Sequence, residues 1–436
     1  GLQLWNSKQA LNLYSSPMID VGLGLISPVY IPRITFFAFA SFLSFFFKPW
    51  FYQAIIFWLL LTSGLVGMHL LVGELLSNKD RVVQFFASSF YLLNLYTQSQ
   101  IWTRFLTTSM FAWAYLPIFL FAWIKWLKEG RVLWLLLLMA SSFIFSNTFG
   151  MPANIFTFFV PLSIFLIAFT FVRRPFGVKT LVFRIFWGLI VWLITNSWWI
   201  YPYFQLAGYS FSELPDMSVS FSSFKGVSQY FPTQEILLLK QSFLFGKESL
   251  WFDWYSRGWV MGISILVFII AVTGWLVSRK EKSWIFLTVL AIAGWFVSKG
   301  ANSPLGDTFF EWLFSTFPFA AVLRNPYEKF GLVWLLPYSV FFALGLKYIN
   351  SHFKLRLKEA LTAGVFISAC GILVWPMWTG KLFRASTKIE APKYYELANN
   401  FITSNSKPQD RILLLPIQLG DGISYKWGYS GIESRE

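Results

Sequence analysis

Long apolar runs dominate this sequence and constrain its fold more than any other feature. A helix that crosses about 30 Å of hydrocarbon needs roughly 17–25 residues, and ten runs approach or reach that length, two or three of them being short. They occupy residues 50–76, 82–97, 105–124, 132–146, 151–172, 181–204, 258–278, 283–297, 331–349 and 360–378. We therefore predict an all-α polytopic membrane protein with about ten transmembrane helices.

The composition excludes several other classes of protein. Hydrophobic residues make up 56% of the chain and charged residues only 13%, whereas about a quarter of a soluble domain is charged. The single cysteine, Cys370, excludes a disulfide framework, and two distant histidines, His69 and His352, disfavour a histidine-rich metal or haem site. The formal net charge of +15 is typical of nucleic-acid binding in a soluble protein.

Basic residues concentrate in alternate loops between the apolar runs. By the positive-inside rule these loops are cytoplasmic, and they lie at residues 79–81, 125–131, 173–179, 279–282 and 347–358. We therefore interpret the net charge as an orientation signal and expect no nucleic-acid partner. The same rule places three segments outside the cytoplasm, namely loops 205–257 and 298–330 and the tail from residue 381.

The chain divides into three predicted parts. Residues 1–49 form an outer loop with an interfacial helix at 34–47, and residues 50–380 form the membrane domain. Residues 381–436 begin a soluble outer domain, α/β or β-rich, with an amphipathic helix at 394–404 and a strand at 411–416. The chain starts at Gly1 and stops within a soluble-looking pattern, so we expect a longer protein with an N-terminal span upstream.

Acidic residues are absent from the interiors of the predicted spans, which disfavours a proton-coupled transporter. An enzyme that works at the outer face needs its base on that side. The acidic residues predicted there are Asp20, Glu213, Asp216, Asp253, Asp307, Glu311 and Glu328. For each of them the alternative interpretation is a solvated loop charge.

The densest pattern of the chain is the segment at residues 299–331. A turn rich in glycine and proline precedes an aromatic amphipathic helix, and Arg324 and Lys329 then flank Pro326 at the start of a span. Two cations beside a helix start predict a phosphate clamp. The alternative is that both cations anchor to phospholipid headgroups and that Glu328 pairs locally.

Polar residues on the same outer face extend this candidate site. Asn147 and Asn154 flank a helix break at Gly150 and Pro152, where they bind a sugar or satisfy the broken backbone. Arg104, in the preceding outer turn, joins an anionic site or extends to the membrane interface.

A weaker signal concerns helix packing. Gly258 and Gly262 form a G-x-x-x-G pattern, which favours close contact between membrane helices. The pattern is a weak signal of helix packing at the start of the run at 258–278.

Several motifs together resemble one family. Leu4-Trp5-Asn6 lies in the first outer loop, G-x-N-S-P-x-G at 300–306 leads into W-L-F, and R-N-P-x-x-K-F-G follows at 324–331. After the last span come P-x-Y-Y at 392–395, R-I-L-L-L-P at 411–416 and Y-K-W-G-Y at 425–429. The arrangement resembles the membrane domain of GT-C superfamily glycosyltransferases, nearest the bacterial α-(1→3)-arabinofuranosyltransferase type and more loosely YfhO-like membrane proteins.

The resemblance implies that a sugar, which in the nearest type is arabinofuranose, passes from a polyprenyl-phosphate donor to a cell-envelope glycan or lipid acceptor. The reaction would take place at the outer face of the bacterial plasma membrane, with membrane lipids as further partners. In such enzymes an aspartate of the first outer loop is the catalytic base. We expect this base upstream of Gly1, and Asp20 is the acidic residue left in the corresponding loop.

The remaining roles follow from the same hypothesis. Donor phosphate binding is assigned to Arg324, Lys329 and Arg104. Sugar or acceptor binding is assigned to Asn147, Asn154, Asn325, Tyr327 and Glu328. No cofactor and no metal ligands are assigned, and dependence on a divalent metal is left open.

Two other functions stay open at this stage. A flippase or transporter of lipid-linked saccharides predicts a lateral opening and a polar cavity that connects both leaflets. A non-catalytic envelope protein predicts a glycan-binding outer tail, with the spans as an anchor.

Overall fold

Helices make up nearly all of the regular structure of the protein, whose coordinates are a computed structural model. The structure describes residues 7–15, 18–19, 25–26, 28–76, 80–103, 106–172, 177–213, 220–240, 254, 257–323, 325–352, 358–380, 392–407, 423–424 and 430–431.

The α-helices of these residues are, in chain order, α1 (Ser7–Tyr14), α2 (Ile34–Leu43), α3 (Pro49–Leu75), α4 (Arg81–Leu92), α5 (Thr107–Glu129), α6 (Val132–Ile144), α7 (Ala153–Val172), α8 (Val178–Glu213), α9 (Phe221–Ser228), α10 (Thr233–Leu237), α11 (Gly258–Val277), α12 (Trp284–Ser298), α13 (Gly306–Thr316), α14 (Pro326–His352), α15 (Lys358–Ile367), α16 (Trp375–Trp378) and α17 (Lys393–Asn405). Shorter 3-10 helices occur at Pro28–Arg33, Ser146–Gly150, Ser278–Lys280 and Pro318–Leu323, and π-helices at Thr97–Thr103 and Ser368–Ile372. Two antiparallel pairs of two-residue strands join Met18–Ile19 to Leu25–Ile26 and Ile423–Ser424 to Ser430–Gly431.

Each of the ten apolar runs contains a helix, but fewer than ten of these helices can span a membrane. Among the described residues six are long and apolar enough, namely α3, α5, α7, α8, α11 and α14. By contrast, α4, α6 and α12 have only 12, 13 and 15 residues, and the run at 360–378 is divided among α15, a π-helix and α16. The prediction of about ten transmembrane helices is therefore not supported.

A single asparagine explains why the second run is short. The Nδ2 atom of Asn94 donates to the carbonyl oxygens of Phe90 and Tyr91, both at 2.8 Å, and its Oδ1 accepts the N–H of Thr97 at 2.9 Å. An asparagine side chain thus takes up the carbonyls that a continuing α-helix would bond. The helix α4 ends there although the apolar pattern continues.

Two helices form the centre of the bundle. In their most apolar stretches, 83% of α5 and 78% of α14 is buried. The helix α5 contacts α3, α6, α7 and α8, and α14 contacts α4, α7, α11 and α12. A helix that is apolar on all sides is typical of such a central position.

Glycines let the helices around α14 approach its backbone closely. A Cβ atom added at Gly274 of α11 would lie 1.8 Å from the oxygen of Phe341, and one at Gly345 would lie 2.1 Å from the oxygen of Ile270. Gly258 and Gly262, in contrast, face open space. Within the described chain the weak packing signal at Gly258 and Gly262 thus corresponds to no helix contact, because α11 contacts α14 closely further along, at Gly274.

Charged side chains from distant loops meet at one end of the bundle. Lys128 at the end of α5 pairs with Glu74 of α3 at 2.7 Å. Lys347 of α14 pairs with Asp80, which precedes α4, at 2.9 Å. We call this the basic end, and Lys282 before α12 also lies there, beside Lys128. The charged residues that meet here belong to loops that the sequence predicts on one side of the membrane, and they do lie at one end of the bundle.

The terminal regions agree only in part with their predictions. The helix α2, predicted at 34–47, is ten residues long and too short to cross a membrane. The amphipathic helix predicted at 394–404 is confirmed as α17. The strand predicted at 411–416 lies outside the described residues, and the short pair at Ile423–Ser424 and Ser430–Gly431 does not support an α/β or β-rich domain.

The contact between α11 and α14 generates a stability prediction. The substitution Gly274→Ala places a methyl group against the Phe341 carbonyl, and overpacking of this kind costs about 1–3 kcal/mol of unfolding free energy. The thermal unfolding midpoint of the purified protein in detergent should fall relative to Gly262→Ala, a matched control on the same helix. Equal midpoints for the two variants would contradict this account of the helix contact.

Candidate active site

The start of α14 is a buried junction at the end of the bundle opposite the basic end. The Oη of Tyr96 donates to the carbonyl oxygen of Glu328 at 2.8 Å, and the Oγ1 of Thr157 donates to that of Lys329 at 3.0 Å. Glu328 and Lys329 are only 3% and 7% exposed. The helix start is therefore enclosed by α7 and by the segment before the first π-helix.

The Lys329 side chain stays inside this junction. Its Nζ donates to the carbonyl oxygen of Val322, in the preceding 3-10 helix, at 2.7 Å. A headgroup anchor would extend away from the protein towards the membrane surface. The burial of Lys329 therefore disfavours the anchoring interpretation for this residue.

Three of the predicted site residues lie outside the described residues. They are Asp20, Arg104 and Arg324. The predicted roles of Asp20 as base and of the two arginines as phosphate ligands stay predictions. Of the predicted sugar or acceptor residues, Asn325 is half-buried, and Tyr327 is fully buried and packs edge-on against Tyr96.

The two predicted asparagines differ in their surroundings. The Nδ2 of Asn154 donates to the carbonyl oxygen of Thr148 at 2.7 Å, so this side chain satisfies the broken backbone. Asn147 is fully buried, and within the described part of the chain neither its Nδ2 nor its Oδ1 has a hydrogen-bond partner. A buried amide without partners costs about 1–3 kcal/mol. Asn147 is thus the asparagine that is available to bind a polar ligand.

Contacts connect Asn147 to the start of α14 through α7. Asn154, near the start of α7, binds the 3-10 helix that contains Asn147. One helical turn further along, Thr157 binds the carbonyl of Lys329. The structure thus joins the predicted residues of two distant segments into one region.

A π-helix in this region was missed by the sequence predictions. Thr97–Thr103 begins with four polar residues, Thr97, Gln98, Ser99 and Gln100, all fully buried. Short π-helices are often found at functional sites. The available signal was the polar run TQSQ between two apolar stretches, since buried polar residues in a membrane protein often mark a functional site.

The turn at 299–306 is a scaffold for this region. The Nδ2 of Asn302 donates to the carbonyl oxygens of Ser228 and Phe231 at 2.6 and 2.8 Å, which fastens the α9–α10 segment. Lys299 is fully buried, its Nζ donates to the carbonyls of Asn302 and Pro304, and burial lowers the pKa of this ammonium group. The predicted turn is confirmed, and its polar groups bind protein carbonyls.

The fastened segment lies over the start of α14. The Nε1 of Trp334 donates to the carbonyl oxygen of Ile236 at 3.1 Å, and the rings of Phe231 and Tyr327 are 5.7 Å apart. The turn at Asn302 therefore holds residues 220–240 over the buried junction, and we call this segment the cover.

An apolar groove of ≈ 520 Å³ lies at the same end, between α2, α3, α5 and α6. Its walls include Phe36, Ile56, Leu60 and Phe111, and it is flanked by exposed residues such as Ile144, so it opens to the side of the bundle. The groove ends beside Ser146, whose Oγ bonds the Thr35 hydroxyl at 2.7 Å. Asn147 follows directly in the chain, so the groove leads to the candidate site.

Comparison with models of protein families matches residues 29–434 to the N-terminal GT-C domain of alpha-(1->3)-arabinofuranosyltransferase. The chain belongs to this family. A search of curated proteins gave no match. The arabinofuranosyltransferase family, together with six helices that are apolar and long enough to span, makes the protein a membrane glycosyltransferase, with a sugar donor and a glycan acceptor as its general partners.

The role of Asn302 generates a prediction about the cover. The substitution Asn302→Ala removes the side-chain bonds to the carbonyls of Ser228 and Phe231. The Ser228 carbonyl keeps the N–H of Phe231 at 2.9 Å, whereas the loss of this bond at the buried Phe231 carbonyl costs about 1–3 kcal/mol. Hydrogen–deuterium exchange of residues 220–240 should therefore become at least about fivefold faster. Ser315→Ala, which removes an exposed hydroxyl bonded within its own helix, serves as the control, and equal exchange in both variants would refute the scaffold role.

Proposed function

We propose that this glycosyltransferase transfers arabinofuranose from a polyprenyl-phosphate donor to a cell-envelope glycan or lipid acceptor at the outer face of the bacterial plasma membrane. The family match supports the sugar. The observation that supports a phosphate-linked donor is the burial of the Lys329 cation at the start of α14. A fixed cation in a site of low dielectric strongly stabilises a phosphate leaving group.

The proposed reaction is a single displacement. A carboxylate base takes the proton from an acceptor hydroxyl while its oxygen attacks the anomeric carbon of the donor. The bond from that carbon to the phosphate oxygen breaks, and polyprenyl phosphate leaves with its charge stabilised by Lys329, together with Arg324 and Arg104. The base belongs to the first outer loop, with Asp20 as the candidate in this chain.

Asn147 is the proposed contact to the sugar. Its amide offers two donor hydrogens and one acceptor oxygen, and neither polar atom is used by the rest of the described chain. Glu328, a buried carboxylate next to Lys329, is a second polar group for sugar or acceptor hydroxyls. Asn154 is a positioning residue in this proposal because its side chain holds the backbone of Thr148.

The groove between α2, α3, α5 and α6 supports a lipid-linked donor. An isoprenoid chain is apolar, and the walls of the groove are almost wholly apolar, with Thr35 and Ser63 as exceptions. A donor whose isoprenoid chain entered the groove from the side would place its phosphate towards Asn147 and the start of α14. The positive-inside rule supports an outward position for this end, since the lysine-rich basic end lies opposite.

The direct test is transfer by the full-length protein in nanodiscs. Labelled polyprenyl-phosphate arabinofuranose and an arabinan acceptor are supplied, with and without EDTA to test dependence on a divalent metal. Transfer of the label to the acceptor supports the proposal. Movement of the donor between leaflets without transfer would support the transporter alternative instead.

Lys329→Gln tests the role of the buried cation. Loss of one charge-stabilising donor typically costs about 10²–10³ in rate, so kcat should fall by that order, with Lys329→Arg retaining more activity. The control is Lys225→Gln, an outer lysine paired with Asp307 in a half-exposed position. Thermal unfolding of each variant separates misfolding from lost catalysis, and a folded Lys329→Gln with unchanged kcat would remove Lys329 from the mechanism.

Ser63→Trp tests the groove as the donor site. The indole would fill part of the groove, so KM should rise for a long-chain donor and change little for a donor with a truncated isoprenoid chain. Leu70→Trp, at an exposed position of the same helix, is the matched control. The groove is not the donor site if KM for the long and the truncated donor changes equally.

A further inference from the structure

A second candidate binding site lies at the basic end, far from the proposed active site. A crevice opens there between α3, α5, α7 and α12. Its walls are Leu75, Phe165, Ala168, Phe169 and Phe286. The crevice is narrow, ≈ 30 Å³ in volume, so no more than a short stretch of one hydrocarbon chain can enter it.

The rim of the crevice is polar and includes a hydroxyl group without a partner. Ser283 is only 9% exposed and lines the crevice, and within the described residues its Oγ makes no hydrogen bond. Ser283 precedes the 15-residue helix α12 without capping it through its side chain. A helix start carries partial positive charge and free N–H groups, which favour an anion.

Lysines make the rim positive overall. Lys128 and Lys282 line the crevice. Lys128 pairs with Glu74, which also lies 3.5 Å from Lys125, and Lys125 bonds Glu129. Lys125 and Lys128 are thus balanced by Glu74 and Glu129, and Lys282 adds one positive charge to the rim. Lys282 is exposed, and the described part of the chain supplies it with no ion pair.

The loop that carries Lys282 adds to this charge. Lys280 and Lys282 flank Glu281, and Arg279 precedes them, so the sequence from 279 to 282 has three cations and one carboxylate. An anion at the crevice mouth is therefore favoured by the loop as well as by the rim.

We propose that this crevice binds an anionic phospholipid. Its phosphate contacts Lys282, the Ser283 hydroxyl and the start of α12, and the upper part of one acyl chain enters between Ala168 and Phe286. A soluble anion would make no use of the apolar walls, and a zwitterionic lipid would place its own cation beside the lysines. The site is independent of the glycosyl transfer proposed above, since it involves other residues at the other end of the bundle.

Comparison of Lys282→Gln with Lys280→Gln tests the site. The full-length protein is exchanged into nanodiscs of phosphatidylcholine with a minor share of phosphatidylglycerol, and the lipid retained after extraction is quantified by native mass spectrometry. The wild-type protein should retain phosphatidylglycerol preferentially. One lysine near an anionic lipid surface is worth about fivefold in binding, so Lys282→Gln should lower the retained phosphatidylglycerol by that factor. Lys280→Gln removes a loop charge that does not line the crevice, so it should lower retention clearly less.

A second pair of variants tests the acyl chain. Ala168→Leu fills the crevice and should also lower the retained phosphatidylglycerol, whereas Ser163→Leu, at an exposed position of the same helix, should not. Equal losses in the two lysine variants would mean general surface charge and would overturn the site. Competition by millimolar inorganic phosphate would mean a free-anion site, and equal retention of both lipids would exclude anion recognition; either result overturns the proposal.

Discussion

The structure depends on the need to satisfy every backbone polar group inside a hydrocarbon environment. Continuous helices meet this need by themselves, and the described apolar runs are accordingly helical. At three helix breaks a side chain takes over backbone groups. Asn94 does so after α4, Asn154 between α6 and α7, and Asn302 after α12. The breaks are therefore built features, and they concentrate at the end of the bundle where the candidate site lies.

Polar groups are satisfied in different ways at the two ends of the bundle. At the basic end, long charged side chains pair with each other, as Lys128 does with Glu74 and Lys347 with Asp80. At the opposite end, short or buried polar side chains bind backbone carbonyls, as Tyr96 and Thr157 do at the start of α14. Ion pairs tolerate a solvated rim, whereas buried side chain–backbone bonds fix geometry. The second arrangement suits a reaction that requires precise placement of two substrates.

The sequence predicts the helical class and the grouping of helix ends, because hydrophobicity and loop charge act locally along the chain. It does not predict where a helix ends when a single side chain ends it, as Asn94 ends α4 by bonding the last carbonyls. Residue type alone also fails for Asn147 and Asn154. The same amide has a backbone partner in one case and none in the other, because the partner of Asn154, the carbonyl of Thr148, is created by the turn itself. The packing glycines Gly274 and Gly345 depend in the same way on which helix faces them.

Helix direction adds an electrostatic reason for an anion at the candidate site. The helices α5, α7 and α14 contact one another and all begin at the end opposite the basic end. Each helix start carries roughly half a positive charge, and the helix ends carry the corresponding negative charge. In a dry interior these fields are weakly screened. They reinforce the Lys329 cation at one end, while at the other end Lys128 and Lys347 lie where helix dipoles favour cations. The proposed site for the donor phosphate and the lysine-rich end thus both agree with the direction of the same set of parallel helices.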